Sequence, residues 1–391
     1  MQSTTPCIAI VGAGPAGLAL ARVLHLGGLP ATLYEQEAGP HDRPQGGTLD
    51  LHEGTGLLAI ERTGLQCEFS RIARPEDQGE RLYNRHGELL FDQAQSAGDH
   101  RPEVDRQALR GMLLDSIPAD RVRWGCALRQ AEPNGDGRWR LHLAGTGATS
   151  APVFDLVVGA DGAWSRLRPL LSAYRPQYSG LTLLEFGIDD VDHRHPAVAA
   201  LVGRGKMMVQ GQGISLIAQR NGHGHIRCYA CFRVPADWVG RRFDLNDPAR
   251  VRAQLLTEFD GFAPAIRQLI LAGNGHFRPL PIHALPVGHH WAHVRGLSLI
   301  GDAAHLMSPF AGEGVNAALL DAVELGRHLV AAHQQGRDWD AALQQAETTM
   351  FERVIEAAAE QLSHDGEALT LEHMIRHHAP SAPLAPALTQ D

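Results

Sequence analysis

The first thirty-five residues constrain this chain more than any later stretch. Cys7-Ile8-Ala9-Ile10-Val11 is a short apolar run of the kind that forms a parallel strand buried on both faces. Gly12-Ala13-Gly14-Pro15-Ala16-Gly17 follows, then a helical stretch from Leu18 to Leu26, then a second strand, Ala31-Thr32-Leu33-Tyr34, ending at Glu35. Strand, turn, helix and strand in this order predict a parallel sheet. Within the turn, Gly12 permits a tight reversal and Gly14 lets the backbone approach a pyrophosphate. Gly17, one residue past Ala16, lets the helix pack close on the strand. Free N–H groups and the positive end of the helix dipole would meet the phosphates. Glu35 can accept hydrogen bonds from ribose hydroxyls and would repel a 2′-phosphate, so this site reads as one for FAD or NAD rather than NADP.

The strand-and-turn pattern returns twice. Asp155-Leu156-Val157-Val158-Gly159-Ala160 is a buried strand followed by Asp161-Gly162, with Ser165, Arg166 and Arg168 beyond. Leu297-Ser298-Leu299-Ile300 is another, followed by Gly301-Asp302, and Pro309-Phe310-Ala311-Gly312-Glu313-Gly314-Val315-Asn316 leads on into a helix. Short alternating segments from about Leu181 to Val234 predict an antiparallel sheet, clearest where Ile226, Cys228, Ala230, Phe232 and Val234 share one face. Val122 to Ala131 and Trp139 to Leu143 read as two antiparallel strands, and Glu103 to Ile117 as a helix. Asp247 to Ala272 reads as one or two helices, Val315 to Gln335 and Ala341 to Leu362 as long ones.

Composition narrows the class. A chain of 391 residues suggests two to three domains and can bury a core without disulfides. Its 44 acidic against 35 basic side chains give a formal charge of −9, which argues against nucleic acid as a partner. No apolar run approaches the roughly 20 residues that cross a bilayer, so no membrane association is expected. Five scattered cysteines without a secretory leader point to reduced thiols and a cytoplasmic setting. No metal is expected. Cys228 and Cys231 would point to opposite faces of a strand, and His289, His290, His293, His373, His377 and His378 come with no HExxH motif or thiolate pair.

Together the glycine turn, Asp161-Gly162 and Gly301-Asp302 resemble the motifs of the flavoprotein aromatic hydroxylases, the single-component FAD-dependent monooxygenases, over roughly Cys7 to Leu329. Gly46-Gly47-Thr48-Leu49-Asp50-Leu51-His52, with Val104-Asp105-Arg106 and Gly301-Asp302-Ala303-Ala304-His305-Leu306-Met307, looks like the tetracycline-inactivating monooxygenases of the Tet(X) type. The resemblance implies an α/β fold. A Rossmann-type FAD-binding domain, a mixed parallel sheet with three-layer packing, would comprise 1–72, 102–170 and 279–330. An antiparallel-sheet substrate domain would comprise 73–101 and 171–278, and a C-terminal helical region, 331–378, would carry a long bridging helix. Residues 379–391 would form a disordered tail.

By the same resemblance Asp50, Arg106, Asp302, Gly312 and Gly314 would contact FAD, and Arg43 the nicotinamide cofactor. Asp161 and Gly162 would serve both, with Arg168 as the arginine of their motif. The helix opening from Gly312 through Val315 to Asn316 would face the isoalloxazine, and Pro309 and Phe310 would wall the pocket. The substrate sheet departs from the Tet(X) pattern. Lys206, two residues before Met208, stands where that group has an arginine, Arg227 and Tyr229 replace a histidine and a glycine, and Glu185 replaces a glutamine. The function implied is an FAD-dependent monooxygenase that uses NADPH or NADH and O2 to hydroxylate an aromatic or polycyclic enol through a flavin C4a-hydroperoxide. A tetracycline-type antibiotic is one candidate substrate. A biosynthetic or catabolic aromatic hydroxylase, a flavin dehydrogenase or reductase without oxygen transfer, and a flavin-binding sensor are the alternatives. The protein is expected to act as a monomer on a small molecule, with the cofactor rather than a side-chain dyad carrying the chemistry.

Overall fold

The computed structural model describes residues 5–43, 45–93, 100–145, 151–309 and 312–365. The segment 366–391 and Phe310 lie outside them, and with them the expected tail and His373, His377 and His378.

The chain folds as mixed α/β, with one parallel sheet and separate, largely antiparallel ones. The parallel sheet has five strands in the order Leu297–Leu299, Leu156–Gly159, Ile8–Val11, Ala31–Tyr34 and Val122–Arg123. Every residue of Ile8–Val11 is buried because the sheet is covered on both faces. Ile8 and Ile10 pack under the helices Pro15–Leu26 and Glu313–Gln334. Ala9 and Val11 face a three-stranded antiparallel layer, Leu128–Pro133, Trp139–Leu143 and Val153–Phe154, through Leu128, Trp139 and Leu141. Helices, parallel sheet and antiparallel layer thus form three layers.

The larger sheet has seven strands, in the order Arg278–Ala284, Gln177–Ile188, Ile226–Arg233, Ile214–Arg220, Gly205–Gly211, Gly79–Asn84 and Leu89–Gln93. Its pairs are antiparallel except Gly205–Gly211 with Gly79–Asn84. One face carries Ile226, Cys228, Ala230 and Phe232 against the helices Pro196–Val202, Pro248–Glu258 and Pro264–Leu271. Cys231 lies on the opposite face with Leu181, Leu183 and Ile217, as strand alternation requires.

Three expectations are corrected. Val122–Arg123 joins the parallel sheet beside Leu33 and Tyr34, so the antiparallel layer starts only at Leu128. Glu103–Asp105 is a strand of a small sheet with Thr48–Asp50 and Ala73–Arg74, and its helix begins at Arg106 because Asp105 keeps an extended backbone. Arg278–Ala284 belongs to the large sheet, not to the start of the third nucleotide-binding segment at 279. Pro279 and Pro281 mask it in the sequence, and a proline-bearing strand is tolerated there because it lies at the sheet's edge.

The last helix, Trp339–Asp365, docks through buried polar contacts. Glu347 accepts from Ser298 Oγ at 2.7 Å and Trp291 Nε1 at 3.1 Å, and lies 2.7 Å from His293 Nδ1. Arg353 meets Asp321 Oδ1 at 2.5 Å, while Asp321 Oδ2 accepts from Gly301 N at 3.0 Å and pairs with His305 Nε2 at 2.5 Å. His289 is likewise packed, against Ala304 O and Ser172 Oγ. Among the described residues no helix is long and apolar enough to cross a membrane.

Candidate active site

The glycine turn divides its tasks by geometry. A Cβ on Gly12, whose φ is +107°, would stand 2.2 Å from the Ala160 carbonyl oxygen, and one on Gly17 would stand 2.0 Å from that of Gly12. These two glycines let strand, turn and helix touch. Gly14 has no such neighbour within 4 Å, so the backbone at the helix start is open to a ligand. Ala16 is buried and packs toward Gly301. Glu35 is buried, accepting from Ala13 N at 2.7 Å and Glu37 N at 3.0 Å. It therefore fixes the turn, and each oxygen keeps a lone pair for a ribose hydroxyl.

Glu37, which the motif reading did not single out, is tied to this turn. It pairs with Arg110 Nη1 at 2.8 Å and with Arg43 Nε at 2.6 Å, and Arg110 Nε donates to Ala13 O at 2.9 Å. Arg43 is thus anchored at the mouth of the turn with its side chain 57% exposed.

The second and third turns are locked together. Asp161 accepts from Arg166 N at 2.8 Å, its other oxygen is buried without a partner among the described residues, and burial raises its carboxyl above the usual range. Gly162 has a φ of +77°. Arg168 is buried and donates to the carbonyls of Ala303 at 2.8 Å, Ala163 at 2.7 Å and Asp302 at 3.2 Å. It is a strut between the two turns. Asp302 itself is exposed, and a Cβ on Gly314 would come no nearer than 4.0 Å to its Oδ1, which leaves an open acidic shelf beside the long helix.

The loop 46–52 closes the site. A Cβ on Gly312 would lie 2.8 Å from Asp50 Oδ1. Asn316 is fully buried, donates to Asp50 O at 3.0 Å and Gly312 O at 2.9 Å, and accepts from His52 N at 2.9 Å. Its side chain ties loop to helix. Val315 is half-buried against the core, and Pro309 is exposed. His52 sits between Asp50 Oδ2 at 3.0 Å and Glu313 Oε1 at 3.1 Å. Burial works against its charge, but hydrogen bonds and charges from both carboxylates push it up to about 9. Burial would raise Asp50, yet His52 holds it below the usual carboxylate range. Arg106 donates its backbone N–H to Gly47 O at 3.1 Å, and its half-buried guanidinium is lowered by burial, opposed by Asp302.

The large sheet brings the predicted substrate residues to this loop. Lys206, Gln219 and Arg227 lie side by side in register, and the next row holds Met208, Ile217, Tyr229, Glu185 and Arg278. Lys206 Nζ meets Glu80 at 2.9 Å. Glu185 is shared by Arg227 at 2.9 Å and Arg278 at 3.0 Å. Tyr229 OH would stand 3.0 Å, and Arg227 Cδ 3.2 Å, from a Cβ on Gly47, so this glycine is where the nucleotide turns and the sheet touch. Burial pushes the Tyr229 hydroxyl up to about 12. Met208 and Tyr229 continue into an apolar patch of Leu183, Ile217, Cys231 and Leu280. One face therefore offers a cationic, hydrogen-bonding row beside an apolar platform. The open helix start at Gly14, the exposed Asp302 and the Arg106 guanidinium fit a flavin dinucleotide laid across the three turns.

Comparison with known proteins points to the same cofactor. The family described as "FAD binding domain" matches residues 4–271 and 280–360. The monooxygenase penA of Penicillium thymicola is 34% identical over 366 residues, covering 82% of this chain and 84% of that protein. An FAD-dependent urate hydroxylase of Klebsiella pneumoniae is 29% identical over 354 residues, covering 88% and 86%. In fold, the chain is similar to Klebsiella pneumoniae HpxO crystallised with FAD and uric acid, with a TM-score of 0.77, 23% identity and coverage of 96% and 92%. The tetracycline destructase Tet(51) is more distant, at a TM-score of 0.64 and 19% identity over 97% and 99%.

Proposed function

This chain belongs to the FAD binding domain family and is an FAD-dependent aromatic monooxygenase, and from that premise we propose that it takes electrons from NADPH or NADH and hydroxylates a small aromatic or polycyclic enol bearing an acidic oxygen. The observation that carries the substrate class is the sheet face over the flavin loop, a row of Lys206, Gln219 and Arg227 next to an apolar patch around Tyr229. Bound FAD supplies electron transfer from the nicotinamide and activation of O2.

The chain's own groups do the rest. N–H groups at the start of Pro15–Leu26 would hold the pyrophosphate, Glu35 the ribose, and Asp302 the ribityl hydroxyls. The opening turn of Glu313–Gln334, held by Asn316, would set its positive end against negative charge on the flavin ring. Lys206 and Arg227 would orient the acidic oxygen, while Tyr229, Met208 and Ile217 bury the ring and keep water off. A tetracycline is one polycyclic enol that this chemistry admits. Tyr229 beside Gly47 and a lysine point charge at Lys206 favour a smaller, flatter aromatic.

The test is a panel of phenols, quinolones, purines and tetracyclines, scored by stimulated NAD(P)H oxidation and by transfer of labelled O2 oxygen into product. We expect a small acidic aromatic to give both. Oxidation of substrate without label would make the protein a flavin dehydrogenase instead.

A further inference from the structure

Glu103 stands between the two walls of the site, outside every motif. Its strand pairs with Thr48–Asp50, inside the loop 46–52 proposed to lie against the flavin. One carboxyl oxygen accepts from Thr48 Oγ1 at 2.6 Å, and the other from Gln219 Nε2 at 2.9 Å. Gln219 lies in register between Lys206 and Arg227. A single side chain, in a residue only 8% exposed, thus spans from the flavin loop to the middle of the cationic row.

The groups that face it come from every neighbouring element. Asp50 and Arg74 act from the flanking strands of the small sheet, and Lys206 from the large sheet, where it is held by Glu80. Arg74 also bonds Thr48 Oγ1 and pairs with Asp105 and Asp77, and His52 is engaged by Asp50 and Glu313. No cation makes a direct ion pair with Glu103 among the described residues. Burial, and then the charge of Asp50, push its carboxyl up to about 7, so it changes charge in the neutral range.

We propose that Glu103 is a positioning residue which, through its bridge from Thr48 to Gln219, tunes the Lys206–Gln219–Arg227 row for an anionic substrate oxygen. The inference rests on the reading of that row as the substrate face. With Glu103 neutral, the row's positive charge is offset by Glu80 and Glu185. With Glu103 ionised, a negative charge is added one side chain behind it, and an anion binds less well.

The experiment is equilibrium binding by calorimetry to the FAD-loaded protein between pH 6 and 8. The probes are benzoate and 2-naphthoate, ionised throughout, with their amides as neutral controls. We expect carboxylate affinity to fall about five-fold as pH rises while amide affinity stays flat. In Glu103→Gln, which keeps both hydrogen-bonding positions without the charge, carboxylate affinity should be flat too. A wild-type slope that survives in Glu103→Gln, or no carboxylate binding at any pH, overturns the proposal. Should Glu103→Gln fail to fold, Glu103→Asp, too short to reach both partners, must move the midpoint, and an unmoved midpoint overturns it equally. Labelled-oxygen transfer to a neutral substrate without carboxylate binding would leave the monooxygenase reading standing and remove only this one.

Discussion

The proposed flavin wall and the proposed substrate wall of this site are made of different material. On the flavin side the shape is backbone: turns at Gly12, Gly162 and Gly301, carbonyls gathered by Arg168, and a helix start left bare at Gly14. On the substrate side the shape is side chains standing on a sheet, with charges shared among Lys206, Glu80, Arg227, Glu185 and Arg278. A backbone wall tolerates almost no change, because its partner is the chain itself. A side-chain wall can be rewritten without disturbing the fold beneath, which is how one scaffold serves many substrates. Glu103 and Gly47 mark the seam between them.

The difference can be broken or sharpened by substitution. The largest effect should come from Gly17→Ala, whose new Cβ would sit 2.0 Å from a carbonyl oxygen. We expect a loss of about 3 kcal/mol or more in stability, read as a lowered Tm, and protein that no longer retains FAD. A yellow, normally stable variant would show the flavin wall to be more yielding than its geometry says. The next concerns His52. Its folded pKa lies above the unfolded value, so its contribution is fully present below about pH 6.5 and lost as pH rises through about 9. Denaturant titrations should show up to about 3 kcal/mol disappearing across that window, and His52→Gln should abolish the slope. Asp302→Ala should weaken FAD by on the order of tenfold to a hundredfold in a fluorescence titration, since it removes a charged acceptor. Unchanged affinity would place the ribityl chain elsewhere. The smallest effect on the cofactor should be that of Arg227→Met. Here FAD affinity should stay within about twofold while substrate KM rises about tenfold, a split expected only if the walls are separable.

The same contrast explains what could be read from the sequence. The turn at Gly12–Gly17 is a local solution, and its residues sit next to one another in the chain. Ile226 to Val234 was equally legible, because a two-residue period fixes which face is buried. Arg168 was not: its spacing from Asp161 is visible, but only the fold shows its donors turned to carbonyls at Ala163, Asp302 and Ala303. Glu103 and Gln219 are 116 residues apart, and neither carries a motif. Their pairing exists only once the small sheet and the large one are stacked. Glu37 and Arg110 were hidden for the same reason, 73 residues apart and each unremarkable alone.

The strand order of the parallel sheet also sets a schedule. Leu297–Leu299 forms one edge, beside strands made much earlier in the chain, and the turn that follows it carries Gly301 and Asp302. Asp321 must then arrive to hold Gly301, and Arg353 to hold Asp321. On the ribosome, the turn at Gly12 is made well before its counterpart at Gly301. The turn at Gly301 is therefore braced only once the chain through Arg353 is in place.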